Sequence, residues 1–144
     1  MSRILIADDD PDIREMCEMV LSHEGFEVLV AHNAPECLAL AHQQTPDLIL
    51  LDWMMPGVDG MEALQLLKGS STTAEIPVIM VTAFGGPMEI TLATHHGAEA
   101  YVTKPFEAEE LVSLVRRFIE GVTPPPLLSA LGEREPNVAQ PVGN

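Results

Sequence analysis

The chain has 144 residues, of which 47% are hydrophobic but only 4% aromatic, and its formal net charge is −15. This length is typical of one domain with its own core, and the composition excludes a disordered chain and favours an aliphatic, helix-rich interior. The 22 acids against 7 Lys and Arg residues would repel nucleic-acid phosphates and anionic bilayers, so we expect no direct binding to nucleic acid or membrane.

Short apolar runs alternate with helical periodicities along the chain. In chain order we predict a strand over 3–7, a helix over about 11–23, a strand over 26–31, a helix over about 33–44, a strand over 48–51, a helix between turns at 57–60 and 69–73, a strand over 76–82, a helix over about 88–96, a strand over 99–103 and a helix over 107–119. Five such strand–helix units predict an α/β fold with a doubly wound, five-stranded parallel sheet and helices on both faces.

The composition changes beyond Gly121. Residues 122–144 hold 5 of the 12 prolines and no aromatic residue, which is typical of a tail or linker with polyproline character. We therefore divide the chain into a domain over 1–121 and a Pro-rich tail over 122–144 that we expect to be disordered. In the alternative, three tail residues form one helical turn that docks on the domain or on a partner: Leu127, Leu128 and Leu131.

Cys17 and Cys37 lack the spacing of a metal or redox motif. We predict reduced thiols buried on helices of a cytoplasmic protein, with a disulfide as the alternative. The apolar run near the N-terminus is too short for a signal sequence or a membrane span.

Polar residues follow the predicted strands at the point where each strand leaves the core. Asp8 and Asp9 follow the first strand and Asp52 the third, while Thr82 ends the fourth and Lys104 follows the fifth. Because the carboxyl ends of parallel strands meet at one edge of the sheet, where ligands bind, we expect these side chains to lie together. The alternative is that each is an ordinary cap, strand or surface residue.

Grouped acids of this kind would repel one another unless a cation lies among them. Oxygen ligands completed by water suit Mg²⁺, which pairs with phosphate oxygens. A lysine and a hydroxyl on the far side of the crevice would stabilise the charge of a transferred phosphoryl group. The five positions together indicate acyl phosphate chemistry with an aspartate as the nucleophile.

Four motifs carry a resemblance that spans residues 3 to about 120: ILIADDD, LILLDWMMPGVDG, PVIMVTAF and AEAYVTKPF. With these motifs in this order, the chain resembles the receiver domains of two-component response regulators, of the stand-alone, chemotaxis-regulator-like kind. The resemblance implies a flavodoxin-like fold and a phosphorylation-dependent signalling switch. It also implies that the chain is not an enzyme acting on an external metabolite, because its reactions would be its own phosphorylation and dephosphorylation.

The resemblance assigns roles to the residues at the sheet edge. Asp52 would accept a phosphoryl group from a phosphohistidine of a sensor histidine kinase or phosphotransfer protein. Asp9, Asp52 and the backbone carbonyl of Met54 would ligate Mg²⁺, and Asp8 would hold the ion through water. Lys104 would pair with the phosphoryl oxygens, and Lys104-Pro105 would carry a cis peptide.

The resemblance also implies a conformational response. Thr82 would bind the phosphoryl group and move toward it, which lets Tyr101 turn inward and alters the face made by the fourth helix, fifth strand and fifth helix. We hypothesise that Met54 and Phe84, two residues past Asp52 and Thr82, fail to orient the hydrolytic water and so slow dephosphorylation. The alternative is that both are rim residues without kinetic effect.

Two other functions remain open at this point. One is a small Mg²⁺-dependent aspartyl phosphatase of the haloacid dehalogenase type, although Asp12 stands where that motif has Thr or Val. The other is a pseudo-receiver that binds partners without phosphorylation. No DNA-binding helix pair is predicted after residue 121, so the output would be a downstream protein target or a lost output domain, from a monomer or a phosphorylation-dependent dimer.

Overall fold

The computed structural model describes residues 1–83 and 85–121. Its helices and strands alternate along the chain as predicted. In order they are β1 (Arg3–Ala7), α1 (Pro11–His23), β2 (Glu27–Ala31), α2 (Ala34–Gln44), β3 (Leu48–Leu51), α3 (Gly60–Lys68), β4 (Val78–Thr82), α4 (Pro87–His95), β5 (Ala100–Thr103) and α5 (Ala108–Ile119).

All the strands are parallel and form one five-stranded sheet in the order β2-β1-β3-β4-β5. This confirms the predicted doubly wound α/β fold. After β1 the chain forms β2 on one side of β1 and then crosses over to form β3 on the other side. In such sheets the crevice beyond the carboxyl ends of the two strands at the reversal is where ligands bind, so the end of β1 and the end of β3 define the candidate site.

Alternate residues of each strand face opposite sides of the sheet, and each side is covered by helices. One side packs against α2, α3 and α4 through a cluster that includes Leu5, Ile49 and Met80. The other packs against α1 and α5 through a cluster that includes Ile6 and Leu50. Because β1, β3 and β4 are buried on both faces, their sequences are continuous apolar runs.

Capping residues mark the ends of two helices. Asp10 caps α1 by accepting a hydrogen bond from the Asp12 amide at 3.0 Å, and Gly25, with φ +95°, follows the end of that helix. Asn33 caps α2 by accepting from the Glu36 amide.

The predicted strands at 26–31 and 76–82 begin later in the structure, at Glu27 and Val78. Phe26 donates its amide to the carbonyl of Leu21 at 3.1 Å and so completes the last turn of α1. Pro77 has no amide hydrogen to give to a neighbouring strand, and only its carbonyl pairs, with the Ile49 amide.

Cys17 and Cys37 are both buried and unbridged, as predicted. Among the residues described, no helix combines the length and apolar character that crossing a bilayer requires. α4 differs from the other helices because its apolar residues do not lie on one side: Ala93 is buried while Met88 is 80% exposed and Leu92 is 41% exposed.

Candidate functional site

The loops after β1 and β3 bring three carboxylates together at the predicted edge of the sheet. One oxygen each of Asp8, Asp9 and Asp52 lies within 4.8 Å of the others. Asp8 and Asp52 are only 2% and 5% exposed, whereas Asp9 is exposed. Carboxylates this close repel one another strongly where little water screens them, so the cluster requires positive charge beside it.

Both the backbone amide and the carboxylate of Asp8 form hydrogen bonds. Its amide donates to the carbonyl of Ala31 at 3.3 Å, which extends the pairing of β1 with β2. Its Oδ1 accepts from the Asp10 amide at 2.9 Å, and its Oδ2 accepts from Lys104 at 2.7 Å. Burial raises the pKa of the Asp8 carboxyl, and the bond from Lys104 only partly offsets this.

Lys104 supplies the positive charge. Its Nζ lies 2.7 Å from Asp8 Oδ2 and 3.3 Å from Asp52 Oδ2, so one ammonium bridges both buried acids. Burial works to lower the pKa of Lys104, but its bonds and charge interactions with the two aspartates outweigh burial and raise it. The backbone of Lys104 is fixed by a 2.8 Å bond to the Thr82 carbonyl, and the peptide to Pro105 is cis, as predicted.

Asp52 is positioned by the turn that joins β3 to α3. Its amide donates to the Ala7 carbonyl at 2.9 Å, and its Oδ1 accepts from the Met54 amide at 3.3 Å. The turn closes on Gly60, whose amide donates to the Trp53 carbonyl at 2.7 Å. A Cβ at Gly60 would overlap the Asp52 carbonyl oxygen and lie 2.6 Å from the Trp53 Cα, so only glycine permits this approach.

A cavity of about 700 Å³ opens beside Asp52. Five of the predicted site residues line it: Asp9, Asp52, Met54, Thr82 and Lys104. Asp8 belongs to the same carboxylate cluster and contacts Lys104. Phe84, the other predicted modulating residue, and the tail at 122–144 lie outside the described residues.

Tyr101 does not line the cavity but is close enough to be affected by its charge. The residue is fully buried, and strand register places it opposite Met80, two residues before Thr82. Burial raises the pKa of its hydroxyl, and the carboxylates of Glu89 and Asp52 raise it further. Tyr101 is therefore within electrostatic range of both Asp52 and Glu89 of α4.

Three residues near the site were not singled out by the motifs. Asp10 and Asp59, which cap α1 and α3, also line the cavity. Arg14 donates from its guanidinium to the Asp8 carbonyl at 2.8 Å. The helical pattern places Arg14 on the polar face of α1, and that pattern alone does not distinguish a solvated arginine from one that turns back to the preceding loop.

The donor set at this edge fits Mg²⁺. The clustered ligand atoms are carboxylate oxygens without thiolate or imidazole, which is the choice of a hard cation. The three carboxylates carry more negative charge than the ammonium of Lys104 can neutralise, so a cation bound among them would be favoured.

Comparison with known proteins agrees with this geometry. The family described as "Response regulator receiver domain" matches residues 4–116. The phosphate regulon transcriptional regulatory protein PhoB of Pseudomonas aeruginosa is 41% identical over 121 residues, which cover 84% of this chain and 53% of that protein. The DNA-binding regulator RpaA of Synechocystis is 43% identical over 119 residues, which cover 83% and 49%.

Solved structures agree as well. The chemotaxis protein CheY4 of Vibrio cholerae superposes with a TM-score of 0.78 at 30% identity, covering 82% of this chain and 98% of that one. A putative response regulator from Chloroflexus aurantiacus gives a TM-score of 0.78 at 34% identity, covering 83% and 98%. The chain spans about half the length of the curated relatives it matches, 53% for PhoB and 49% for RpaA. By its sequence, its fold and these relatives, the chain belongs to the receiver domain family of two-component response regulators.

Proposed function

We propose that this receiver domain is a switch that accepts a phosphoryl group on Asp52 from the phosphohistidine of a sensor histidine kinase or phosphotransfer protein. The observation that carries the proposal is the bridge made by Lys104, whose Nζ lies 3.3 Å from the Asp52 carboxylate and 2.7 Å from Asp8. The bridge lies at a cavity large enough to admit a phosphoryl group and the side chain that delivers it.

The geometry supports nucleophilic attack by Asp52. A carboxylate oxygen forms a bond to phosphorus while the phosphorus–nitrogen bond of the donor breaks, and that electron pair returns to the imidazole. Lys104 already contacts Oδ2 and the Met54 amide contacts Oδ1, so the carboxylate is oriented before the donor arrives. The ammonium and the Thr82 hydroxyl would then bind the phosphoryl oxygens as charge develops on them.

We propose that Asp9, Asp52 and the backbone carbonyl of Met54 hold Mg²⁺, with Asp8 acting through water. When bound, the ion would offset the charge of the acids and of the phosphoryl oxygens. Asp9 suits direct ligation because it is exposed, while Asp8 already has Lys104 on one oxygen and the Asp10 amide on the other.

The proposed output is a change in the face formed by α4, β5 and α5. Thr82 and Tyr101 lie on adjacent strands. Burial raises the pKa of the Tyr101 hydroxyl most, and the negative charge of Glu89 on α4 is the next largest cause. Movement at Thr82 would therefore reach α4 through Tyr101. On α4 an apolar surface that includes Met88 and Leu92 is exposed, which suits a downstream protein target or a second copy in a phosphorylation-dependent dimer.

Lifetime of the phosphorylated state is proposed to depend on Met54 and Phe84. Met54 lines the cavity and is 56% exposed. Its side chain has no strong hydrogen-bonding group to orient a water molecule for attack on phosphorus, so hydrolysis should be slow. We further propose that 1–121 forms the cytoplasmic switch domain and that 122–144 is a Pro-rich tail.

Intact-mass measurement after incubation with Mg²⁺ and acetyl phosphate tests the proposal. We expect one phosphoryl adduct on the wild type and none on Asp52→Asn. Asp59→Asn is the matched control because Asp59 lines the same cavity, and asparagine caps a helix about as well as aspartate. This variant should keep the adduct.

Other outcomes would support the other functions. Absence of an adduct from a folded, Mg²⁺-binding protein would support a pseudo-receiver that binds partners without phosphorylation. Continuous release of phosphate that depends on Asp8 would support an aspartyl phosphatase.

A further inference from the structure

Arg14 lies on the first turns of α1 and reaches back to the loop before it. Its Nη1 donates to the backbone carbonyl of Asp8 at 2.8 Å, and its own amide donates to the Asp10 carbonyl at 3.0 Å. The side chain is half-buried. One arginine thus bonds to the loop that carries the two acids at the end of β1.

The carbonyl that Arg14 contacts belongs to the peptide group joining Asp8 to Asp9. Its direction therefore sets ψ of Asp8 and φ of Asp9. The other polar atoms of Asp8 have partners that fix the residue itself: the Ala31 carbonyl, the Asp10 amide and Lys104. The bond from Arg14 restrains the peptide plane that leads to the exposed Asp9.

We propose that Arg14 is a positioning residue that holds the Asp8–Asp9 peptide so that the Asp9 carboxylate faces the Mg²⁺ position. This inference rests on the proposed role of Asp8 and Asp9 in binding Mg²⁺. Arginine suits the task because its guanidinium is planar and always charged, and hydrogen bonds from a charged donor are shorter and stronger than neutral ones.

Charge alone predicts the opposite effect, which makes the role testable. A positive group near the acids disfavours a second cation, so removing it should tighten Mg²⁺ binding if charge were its only effect. A positioning role predicts weaker binding, since contacts that orient metal ligands typically contribute about 10- to 100-fold in metal affinity. The sign of the change therefore separates the two.

The experiment measures the Mg²⁺ dissociation constant of the full chain by MgCl₂ titration, followed through the backbone amide NMR shifts at constant ionic strength. Arg14→Met keeps most of the apolar stem and removes the donor. Arg14→Lys keeps the charge but not the planar fork. Arg117→Met of α5 is the control for losing one positive charge, and the remaining amide shifts report whether each variant is folded.

We expect the dissociation constant to rise about tenfold in Arg14→Met, the lower end of the effect of losing an orienting contact. It should rise less in Arg14→Lys and stay unchanged in Arg117→Met. An unchanged or lower dissociation constant in both folded Arg14 variants would overturn the positioning role alone. A wild type that binds no Mg²⁺ would overturn the proposed metal site and this inference with it.

Discussion

Asp8, Asp9 and Asp52 are chemically identical acids in different surroundings. Asp8 has the Asp10 amide on one oxygen and Lys104 on the other, Asp9 is exposed, and Asp52 is buried yet opens onto the cavity. A nucleophile must be both oriented and reachable, and the proposed acceptor, Asp52, combines these properties.

Met54 allows a prediction about the rate of dephosphorylation. Its amide serves Asp52, so a substitution should leave that contact in place and change only the group at the cavity rim. Met54→Asn introduces an amide side chain that can orient water, and we expect dephosphorylation to accelerate about 3- to 10-fold. This is less than the roughly 10²- to 10⁴-fold effect of a positioned general base, because an amide orients water without taking its proton. The decay of the phosphoryl adduct by intact mass measures it; slower decay in the variant would contradict the proposal.

Cys17 and Cys37 permit a prediction about pH. Burial raises the pKa of both thiols from 9.0 to about 12. Between these values the unfolded chain loses thiol protons that the folded chain keeps, so stability is full below pH 9 and falls as pH rises toward 12. From pH 8 to 10 we expect a loss on the order of 1 kcal/mol per thiol.

Urea unfolding at several pH values, compared with the Cys17→Ala/Cys37→Ala variant, checks this expectation. The cavities left by the substitutions lower the stability of the variant equally at every pH. Loss of the two thiols should make the fall of stability with pH less steep in the variant than in the wild type. Parallel pH profiles for wild type and variant would contradict the assignment.

Sequence motifs predicted the residues of the site but not all of their contacts. They placed Asp8, Asp52 and Lys104 at one edge, because strand ends can be read from apolar runs. They did not predict that Lys104 bridges both Asp8 and Asp52, or that Arg14 holds the Asp8 carbonyl. Those contacts join residues on different elements, and which rotamer is selected depends on the finished packing.

The β3–α3 turn is the element whose geometry the site depends on most. Gly60 begins α3 against the backbone of Asp52 and Trp53, and any side chain there would push the helix away from Asp52. We expect Gly60→Ala to destabilise the fold by about 2–4 kcal/mol, because overlap with backbone is not relieved by a rotamer change.

Gly69→Ala is the comparison, since its Cβ would lie 3.2 Å from the Gln65 carbonyl oxygen and 3.9 Å from that of Leu66, without overlap. It should change stability by less than about 1 kcal/mol. Urea midpoints for both variants measure the difference, and equal midpoints would show that the close approach at Gly60 is not required.

Elements were easier to predict from the sequence than their ends. Periodicity identified every strand and helix because each strand is mainly apolar and most helices have one apolar side. The strands predicted over 26–31 and 76–82 were begun too early, since apolar character does not reveal whether a backbone amide pairs with a strand or closes a turn. In α4 the exposed Met88 and Leu92 blur the helical periodicity.

The whole molecule has a net charge of −15, so binding of a cation should reduce charge repulsion and stabilise the fold. A ligand that binds only the folded state stabilises it in proportion to the logarithm of its concentration. Mg²⁺ at about ten times its dissociation constant should stabilise the folded chain by about 1.4 kcal/mol. We therefore expect it to raise the melting temperature by about 4–6 °C.

Asp9→Asn should remove this rise and, without Mg²⁺, melt above the wild type because one of three repelling carboxylates is gone. Asp12→Asn, outside the cluster on α1, should retain the rise. Melting curves with and without MgCl₂ provide the measurement. A full Mg²⁺ response in Asp9→Asn would place the ion elsewhere.

We propose above all that Asp52, and not one of the neighbouring acids, carries the phosphoryl group. Sodium borohydride reduces an aspartyl phosphate to homoserine, so peptide mass mapping after phosphorylation and reduction locates the modified residue directly. We expect homoserine at residue 52, and only after treatment with both phosphodonor and Mg²⁺. Homoserine at residue 8 or 9, or none in a protein whose intact mass includes a phosphoryl group, would contradict the account.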